Sequence, residues 1–527
     1  MSAAGVTSQE AEKASLSDWI AVIAGALGAL LATLDISITN SALPQIQGEL
    51  GATGTEGTWI STGYLMSEIV MIPLAGWLTR VFGLRNFLIS MAVFFTLFSV
   101  ICGLSESLPQ MVLGRIGQGF TGGAMIPTAQ MIIRTRLPRS QLPLGMSIFG
   151  LIVILGPVLG PVMGGWLAEN ISWHWCFFIN VPVSVALVFL LLNGLNKEET
   201  NWTEFIRADW TGVLGLSAAL SSLTVVLEEG QRERWFESTE ICWLSVVCAI
   251  GFVLLLISQV TARRPVIRLS LLFNFRFLSV IVIVFILGIA LYCILYLLPQ
   301  FLSGIADYNA QQSGMVLLIS GIPSLLLMPF LPRLLTKIDI KLLVICGIGF
   351  FAWSCFLDTT LTVQSNGDDF FWSQILRGAG QILAMMPLNQ ASMAAVRTEE
   401  AADAAGLYNM MRNLGGSVGL ALVGIFIDRQ SKLHNDVIRE SISANSPLVT
   451  DRMAASSAGF FSQTGDAAYS ASQALAQLAQ QIQQQALVLT YSETFYLMGF
   501  ALICCIPLTF LLRSPHKPGA ASSSMKK

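Results

Sequence analysis

The sequence predicts an all-α polytopic membrane protein. Three observations predict it. Of 527 residues, 54% are hydrophobic and 12% charged, with a mean hydropathy of +0.68. Apolar runs of spanning length recur from Trp19 to Leu512. Lys and Arg gather at alternate gaps between those runs. A soluble chain carries about 25% charged residues, so half the usual polar surface is missing. Lipid offers no water to backbone N–H and C=O groups, so each run must close its own hydrogen-bond ladder as a helix. A net charge of −3 gives no electrostatic case for a nucleic-acid partner.

The first run, Trp19–Thr39, holds about 20 residues, long enough to cross a ~30 Å hydrocarbon layer. Its single charge is Asp35. Such a charge costs about 2.5–3.5 kcal/mol on insertion scales and normally faces a partner or a wet cavity. Residues 1–18 carry Glu10, Glu12 and Asp18 against Lys13, and read as a cytoplasmic segment rather than a cleavable signal. Thirteen further spans follow, at 59–79, 87–105, 110–133, 144–167, 175–194, 210–228, 241–260, 277–300, 313–335, 341–360, 371–395, 404–428 and 488–512. Inner gaps and the C-terminal tail hold Arg80, Arg85, Arg134, Arg136, Arg139, Arg263, Arg264, Arg268, Arg333, Lys337, Arg397, Arg513 and Lys517. The short outer gaps hold only Arg232 and Arg234. This asymmetry places both termini in the cytoplasm.

One outer loop is long, 429–487. Its part from Asp466 to Gln485 is rich in Ala and Gln, with Leu475, Leu478 and Ile482 at helical spacing. A helix standing on, or running into, the last span is expected there, either as a solvated cap or as a docking surface.

Spans 4 and 12 repeat a pattern: Arg115 and Gln118, then Pro127-x-x-Gln130 and Arg134-Thr135, against Arg377 and Gln381, then Pro387-x-x-Gln390 and Arg397-Thr398. Residues 19–194 and 277–512 then form equivalent six-helix bundles. Two inserted helices and their linkers occupy 195–276, and a cytoplasmic tail 513–527. Such repeats bracket the substrate site in many secondary transporters.

Five ionisable residues lie well inside spans: Asp35, Glu68, Arg115, Arg377 and Arg412. Asp35 is roughly 24 Å above the inner end of its span and Arg115 about five residues below the outer end of its own, at similar height. That suggests a direct or water-bridged pair. It either pins helix 1 to helix 4, or switches the carboxylate between holding and releasing a proton as the Arg moves. Glu68 is a candidate second proton site or counter-charge. Span 5 carries Gly156-Pro157-x-x-Gly160-Pro161-x-x-Gly164-Gly165, whose small residues let helices approach closely and whose prolines bend them, as a gate or as simple kinked packing.

The nine cysteines contain no C-x-x-C pair, the three histidines sit at span ends or in loops, and no GxxxxGK[ST] phosphate loop is present. A membrane enzyme or an ATP-driven machine is therefore disfavoured. A sensor or scaffold would not need acids at mid-membrane.

Together these residues resemble the major facilitator superfamily, in its 14-span drug:proton antiporter branch of the EmrB/QacA type. The resemblance rests on Leu34-Asp35-x4-Asn40-Ser-Ala42-Leu43-Pro44, Arg115-x-x-Gln118-Gly119, the span-5 glycines, Trp173-His-Trp175-x4-Asn180-Val-Pro182 and Arg412-Asn-Leu-Gly415-Gly416-Ser417. It departs from the usual loop after helix 2, where Arg80 and Val81 replace Asp-Arg, a position at which EmrB-like members also carry a basic residue. The resemblance implies a major facilitator fold of two six-helix bundles plus two inserted helices. It further implies proton-coupled export of lipophilic or cationic toxic compounds across a bacterial inner membrane, with no cofactor beyond the proton gradient. Export of one dedicated metabolite or siderophore is the alternative. Proton coupling falls to Asp35, Glu68 and Arg115; the substrate cavity to Asn40, Gln118, Arg377, Gln381 and Arg412; gating to Gly156, Gly160, Pro161, Gly164 and Gly165. The outer-loop segment 474–482 is similar to the EmrB one, which implies an EmrA-type periplasmic adaptor and an outer-membrane channel as partners.

Overall fold

The computed structural model describes residues 14–53, 56–138, 140–262, 265–397, 400–442 and 447–512. Arg139, Arg263, Arg264, Thr398, most of the N-terminal segment and the tail from Arg513 lie outside them. Nineteen α-helices, linked by short 3₁₀ turns, account for nearly all of the described chain.

The first eight helices are α1 (Leu16–Glu49), α2 (Trp59–Phe82), α3 (Leu84–Gly103), α4 (Leu108–Gly122), α5 (Met125–Arg136), α6 (Leu142–Asn170), α7 (Trp175–Phe178) and α8 (Asn180–Gly194). Ser15 starts α1 by accepting from the Asp18 backbone N–H while the Asp18 carboxylate accepts from the Ser15 N–H, a reciprocal cap. Gly83, at φ 77°, turns α2 directly into α3. A five-residue helix, α9 (Trp202–Ile206), leads to the inserted pair α10 (Trp210–Glu229) and α11 (Thr239–Thr261). The rest are α12 (Phe275–Gly304), α13 (Ala310–Leu327), α14 (Leu331–Lys337), α15 (Ile340–Leu357), α16 (Phe371–Ala394), α17 (Ala401–Ser441), α18 (Pro447–Thr464) and α19 (Ala467–Thr509).

Two groups of helices meet in a reciprocal way. Within the first, α1 packs on α6, α8 and α5; within the second, α12 packs on α17 and α15 on α16. Between them α6 lies against α13 and α17 against α2, so the fifth span of each group touches the second of the other. Helices α10 and α11 pack on each other, and α10 also reaches α2 and α17.

Twelve of the described helices are long and apolar enough to cross a membrane by length and composition, against the fourteen spans expected. The two missing are the fourth and twelfth spans: the fourth breaks into α4 and α5 around Gly122–Ala124, and α16 carries too many polar groups. The described parts of 429–487 are mostly helical, and the helix expected from Asp466 runs into the last span. Helix α17 continues to Ser441, α18 packs beside α19, and α19 runs unbroken from Ala467 into the last span. Asp466 starts it, accepting from the Ala468 N–H at 2.9 Å and the Tyr469 N–H at 3.1 Å, so it begins on its own cap.

Candidate functional site

Asp35 has no solvent exposure, and a single turn of α4 supplies most of its partners. Arg115 Nη1 donates to Oδ2 at 2.5 Å, and Gln118 Nε2 donates to Oδ1 at 2.9 Å. Asn180 Nδ2, from the start of α8, donates to the same Oδ1 at 2.6 Å. The spacing 115/118 puts guanidinium and amide on one helix face, which is why one carboxylate can take both. Ser99 on α3 accepts from Gln118 at 2.7 Å and Asn180 at 3.0 Å, tying a fourth helix into the network. Arg115 is held further by the Ile60 carbonyl at 3.1 Å and by the Tyr64 ring 4.4 Å beneath its guanidinium. A buried charge pair with this many hydrogen bonds can offset the cost of removing both charges from water.

Glu68 on α2 is 3% exposed, and the charges of Arg412 on α17 and of Arg115 both act on it.

Between the two groups lies a cavity of about 1550 Å³, larger than the ~300–1,000 Å³ of ordinary small-molecule pockets. Its deep wall includes Gln130, Phe149, Met386, Asn389, Tyr408 and Arg412. Its other end reaches Glu229, Arg232, Asp428, Lys432, Asp436 and Gln483, where α10, α17 and α19 rise together. The two groups are joined by ion pairs at the end where α2 finishes and α17 begins. Asp403, in the first turn of α17, pairs with Arg268 at 3.2 Å and lies 3.9 Å from Arg80 of α2. Glu400 beside it takes Arg397 at 2.6 Å and Arg268 at 3.5 Å, and Arg397 holds this carboxyl below the usual range. Arg134 of α5 donates to the Met393 carbonyl at 3.1 Å, and Asn409 of α17 to Gln130 of α5 at 3.1 Å. Arg80, which stands where an acid is usual after helix 2, donates to Glu204 of α9 at 3.2 Å and lies 3.9 Å from Asp403 of α17, so the acids of this cluster sit on α9 and α17.

The predicted residues divide into two sets. Asn40, Gln381 and Arg412 line the cavity, with Asn40 accepting from Ser61 at 2.8 Å. Gln118 and Arg377 do not reach it: Gln118 belongs to the Asp35 network, and Arg377 pairs with Asp358 at the end of α15. Gly156, Gly160 and Gly164 face α1, where added Cβ atoms would meet Thr33, Ser37 and the Ile38 carbonyl at 2.2, 2.2 and 2.6 Å. Gly165 faces Gln311 at the start of α13 instead, and Pro161 lines the cavity. Asn180, quoted from sequence only as part of a family motif, joins the network, and residues not singled out from sequence are Ser99 in the network, Asp358 opposite Arg377, Asp403 at the ion-paired end, and Glu228 and Glu229 on the cavity wall. Among the described residues, no group of three or more His, Cys, Asp or Glu is placed to hold a metal ion.

Helix groups that touch reciprocally around a large cavity, with a buried carboxylate–guanidinium pair beside it, define a secondary active transporter of the membrane rather than an enzyme. The comparisons give the family. The model for the Major Facilitator Superfamily matches residues 25–420. The chain is 33% identical over 435 residues to the colistin resistance protein EmrB of Acinetobacter baumannii, covering 82% of this chain and 85% of that one. It is 30% identical over 504 residues to the multidrug export protein EmrB of Escherichia coli K12, covering 95% and 96%. Among solved structures, the proton:xylose symporter XylE is similar in fold, with a TM-score of 0.59 at 14% identity over 94% of this chain and 95% of that one. The chain belongs to the Major Facilitator Superfamily, in its EmrB-like branch.

Proposed function

We propose that this protein is a proton-coupled multidrug efflux antiporter, exporting lipophilic and cationic toxic compounds across the bacterial inner membrane with the proton gradient as its drive and no cofactor. The observation that carries the reading is Asp35, a carboxylate with no solvent exposure, bound to a guanidinium from another helix. In this conformation it is fully occupied. Gaining a proton would neutralise it and release Arg115, whose charge also acts on Glu68; the charge of Arg412, on the cavity wall, acts on Glu68 as well. Protonation is thereby linked electrostatically to the surface that substrate touches. The names of the relatives, colistin resistance and multidrug export, support the substrate class. In this reading both termini are cytoplasmic, the fourth and twelfth segments also cross the membrane, and residues 19–194 and 277–512 are bundles that rock about the cavity while 195–276 bridges them.

The test uses inside-out vesicles with an imposed pH gradient. Adding a lipophilic cationic drug is expected to collapse the gradient in vesicles carrying the protein and to leave it in vesicles without it. A panel of such compounds that never discharges the gradient would remove the coupling claim.

The protein is further proposed as the inner-membrane part of a tripartite pump, with an EmrA-type periplasmic adaptor and an outer-membrane channel. The cavity wall continues onto Lys432, Asn435 and Gln483 of the raised helices α17 and α19, so substrate leaving it would pass along the surface where an adaptor would sit. Deleting 466–485 is expected to spare drug-driven gradient collapse in vesicles while abolishing drug resistance of whole cells. Equal loss in both assays would assign the segment to folding.

A further inference from the structure

The tip of α10 sits between the two helix groups. Glu229 accepts from Thr62 at 2.6 Å and Thr58 at 3.2 Å on the first group, and Gln231 Nε2 donates to the Gly424 carbonyl on the second at 2.8 Å. The inserted helix is therefore fixed against both walls, and Leu227, Glu228, Glu229 and Gln231 form part of the cavity lining.

Four carboxylates line this cavity. Glu229 is taken by Arg232 at 3.1 Å, and Asp428 by Lys432 at 2.8 Å. Asp436 is exposed and solvated. Glu228 differs from all three. Among the described residues no cation lies within ion-pair distance of it; Ser417 hydrogen-bonds to the carboxyl and the charge of Arg232 reaches it at longer range, but its Oε1 is shut off from solvent with no hydrogen-bond partner. A carboxylate oxygen left in that state is costly unless something completes it. Its surroundings say what. Tyr292 and Tyr296 stand one turn apart on α12, both lining the cavity and both electrostatic neighbours of Glu228. The Tyr292 hydroxyl donates to Asn413 at 3.1 Å, which fixes that ring, while Tyr296 is 44% exposed and free to meet a ligand.

We propose that the inserted helix supplies the charge-recognition point of the cavity: Glu228, flanked by Tyr292 and Tyr296, binds the positive centre of a lipophilic organic cation. The carboxylate neutralises the charge, the ring faces add cation–π attraction, and the apolar side chains of Leu291, Leu295 and Leu420 take the substituents. Arg412, on the same wall, repels a second positive group and so favours monocations. The assignment rests on the export reading only in taking this cavity as the place where substrate binds.

Tetraphenylphosphonium and its anionic isostere tetraphenylborate, titrated calorimetrically into the full-length protein in nanodiscs, test it. Glu228→Gln is expected to weaken phosphonium binding by at least about tenfold, as removal of one partner of a desolvated charge pair does, and to leave borate binding unweakened. Tyr296→Ala should cost the phosphonium roughly 3–30-fold and Tyr296→Phe almost nothing, which carries the test if Glu228→Gln is unstable. Unchanged phosphonium affinity in Glu228→Gln, equal loss for both ions, or no phosphonium binding by the unaltered protein would overturn the assignment. Calorimetry needs no transport, and the vesicle measurement on the unaltered protein decides the export reading separately.

Discussion

Asp35→Asn is expected to abolish drug-driven collapse of the pH gradient, to the level of vesicles lacking the protein, while the protein still reaches the membrane. Asparagine keeps an acceptor for Gln118, but it has no charge and cannot exchange a proton at neutral pH. Breaking a buried pair by removing one partner also costs about 3–5 kcal/mol, because the other charge is stranded. The single variant therefore loses stability as well as coupling. The double variant Asp35→Asn/Arg115→Gln separates the two effects. It removes both charges, keeps polar groups of similar shape on both helices, and is expected to recover thermal stability in detergent without recovering transport. Were the pair only a pin between α1 and α4, the double variant would discharge the gradient as the unaltered protein does.

How much of this was legible in the sequence follows from what spans encode. Position along a span gives depth, and depth alone brought Asp35 and Arg115 to one level, where the structure joins them at 2.5 Å. Depth says nothing of rotation about the helix axis. Gln118 and Gln381 occupy similar places after their arginines, yet one faces into its bundle and the other into the cavity. The duplicated Arg377 met its acid on the third helix of its group rather than the first, since Asp358 sits at the very end of α15, where hydropathy places the boundary and charges are expected. Glu228 and Glu229 were missed for the same reason. An acid at a span end reads as solvated until packing shows that α10 is wedged between α2 and α17. The extension of α19 was legible in the helical spacing of Leu475, Leu478 and Ile482, whereas no comparable apolar spacing was read in 429–441, where α17 continues to Ser441.

Gly160→Val is expected to eliminate transport and most folded protein, and Gly160→Ala to lower stability by about 1–3 kcal/mol, the usual cost of forcing atoms into a packed contact. A Cβ at Gly160 would lie 2.2 Å from the Ser37 Cβ and 3.1 Å from the Ile38 backbone nitrogen. Ser37 and Ile38 follow Asp35 within one turn, so pushing α6 off α1 at this point also moves the carboxylate relative to Arg115. In a bilayer no apolar driving force re-closes such a gap, since lipid tails are as apolar as the side chains they would replace. The geometry names its own suppressor. Ser37→Gly removes the atom with which the new methyl collides, so Gly160→Ala/Ser37→Gly should regain both the melting temperature and the drug-driven gradient collapse lost in Gly160→Ala. Gly349→Ala on α15 is the control: nothing lies within 4 Å of its added Cβ, and alanine is the better helix former, so stability should hold or rise by roughly 0.5–1 kcal/mol. If Ser37→Gly failed to rescue, the tight partner of Gly160 would have to be some surface other than the turn of α1 that follows Asp35.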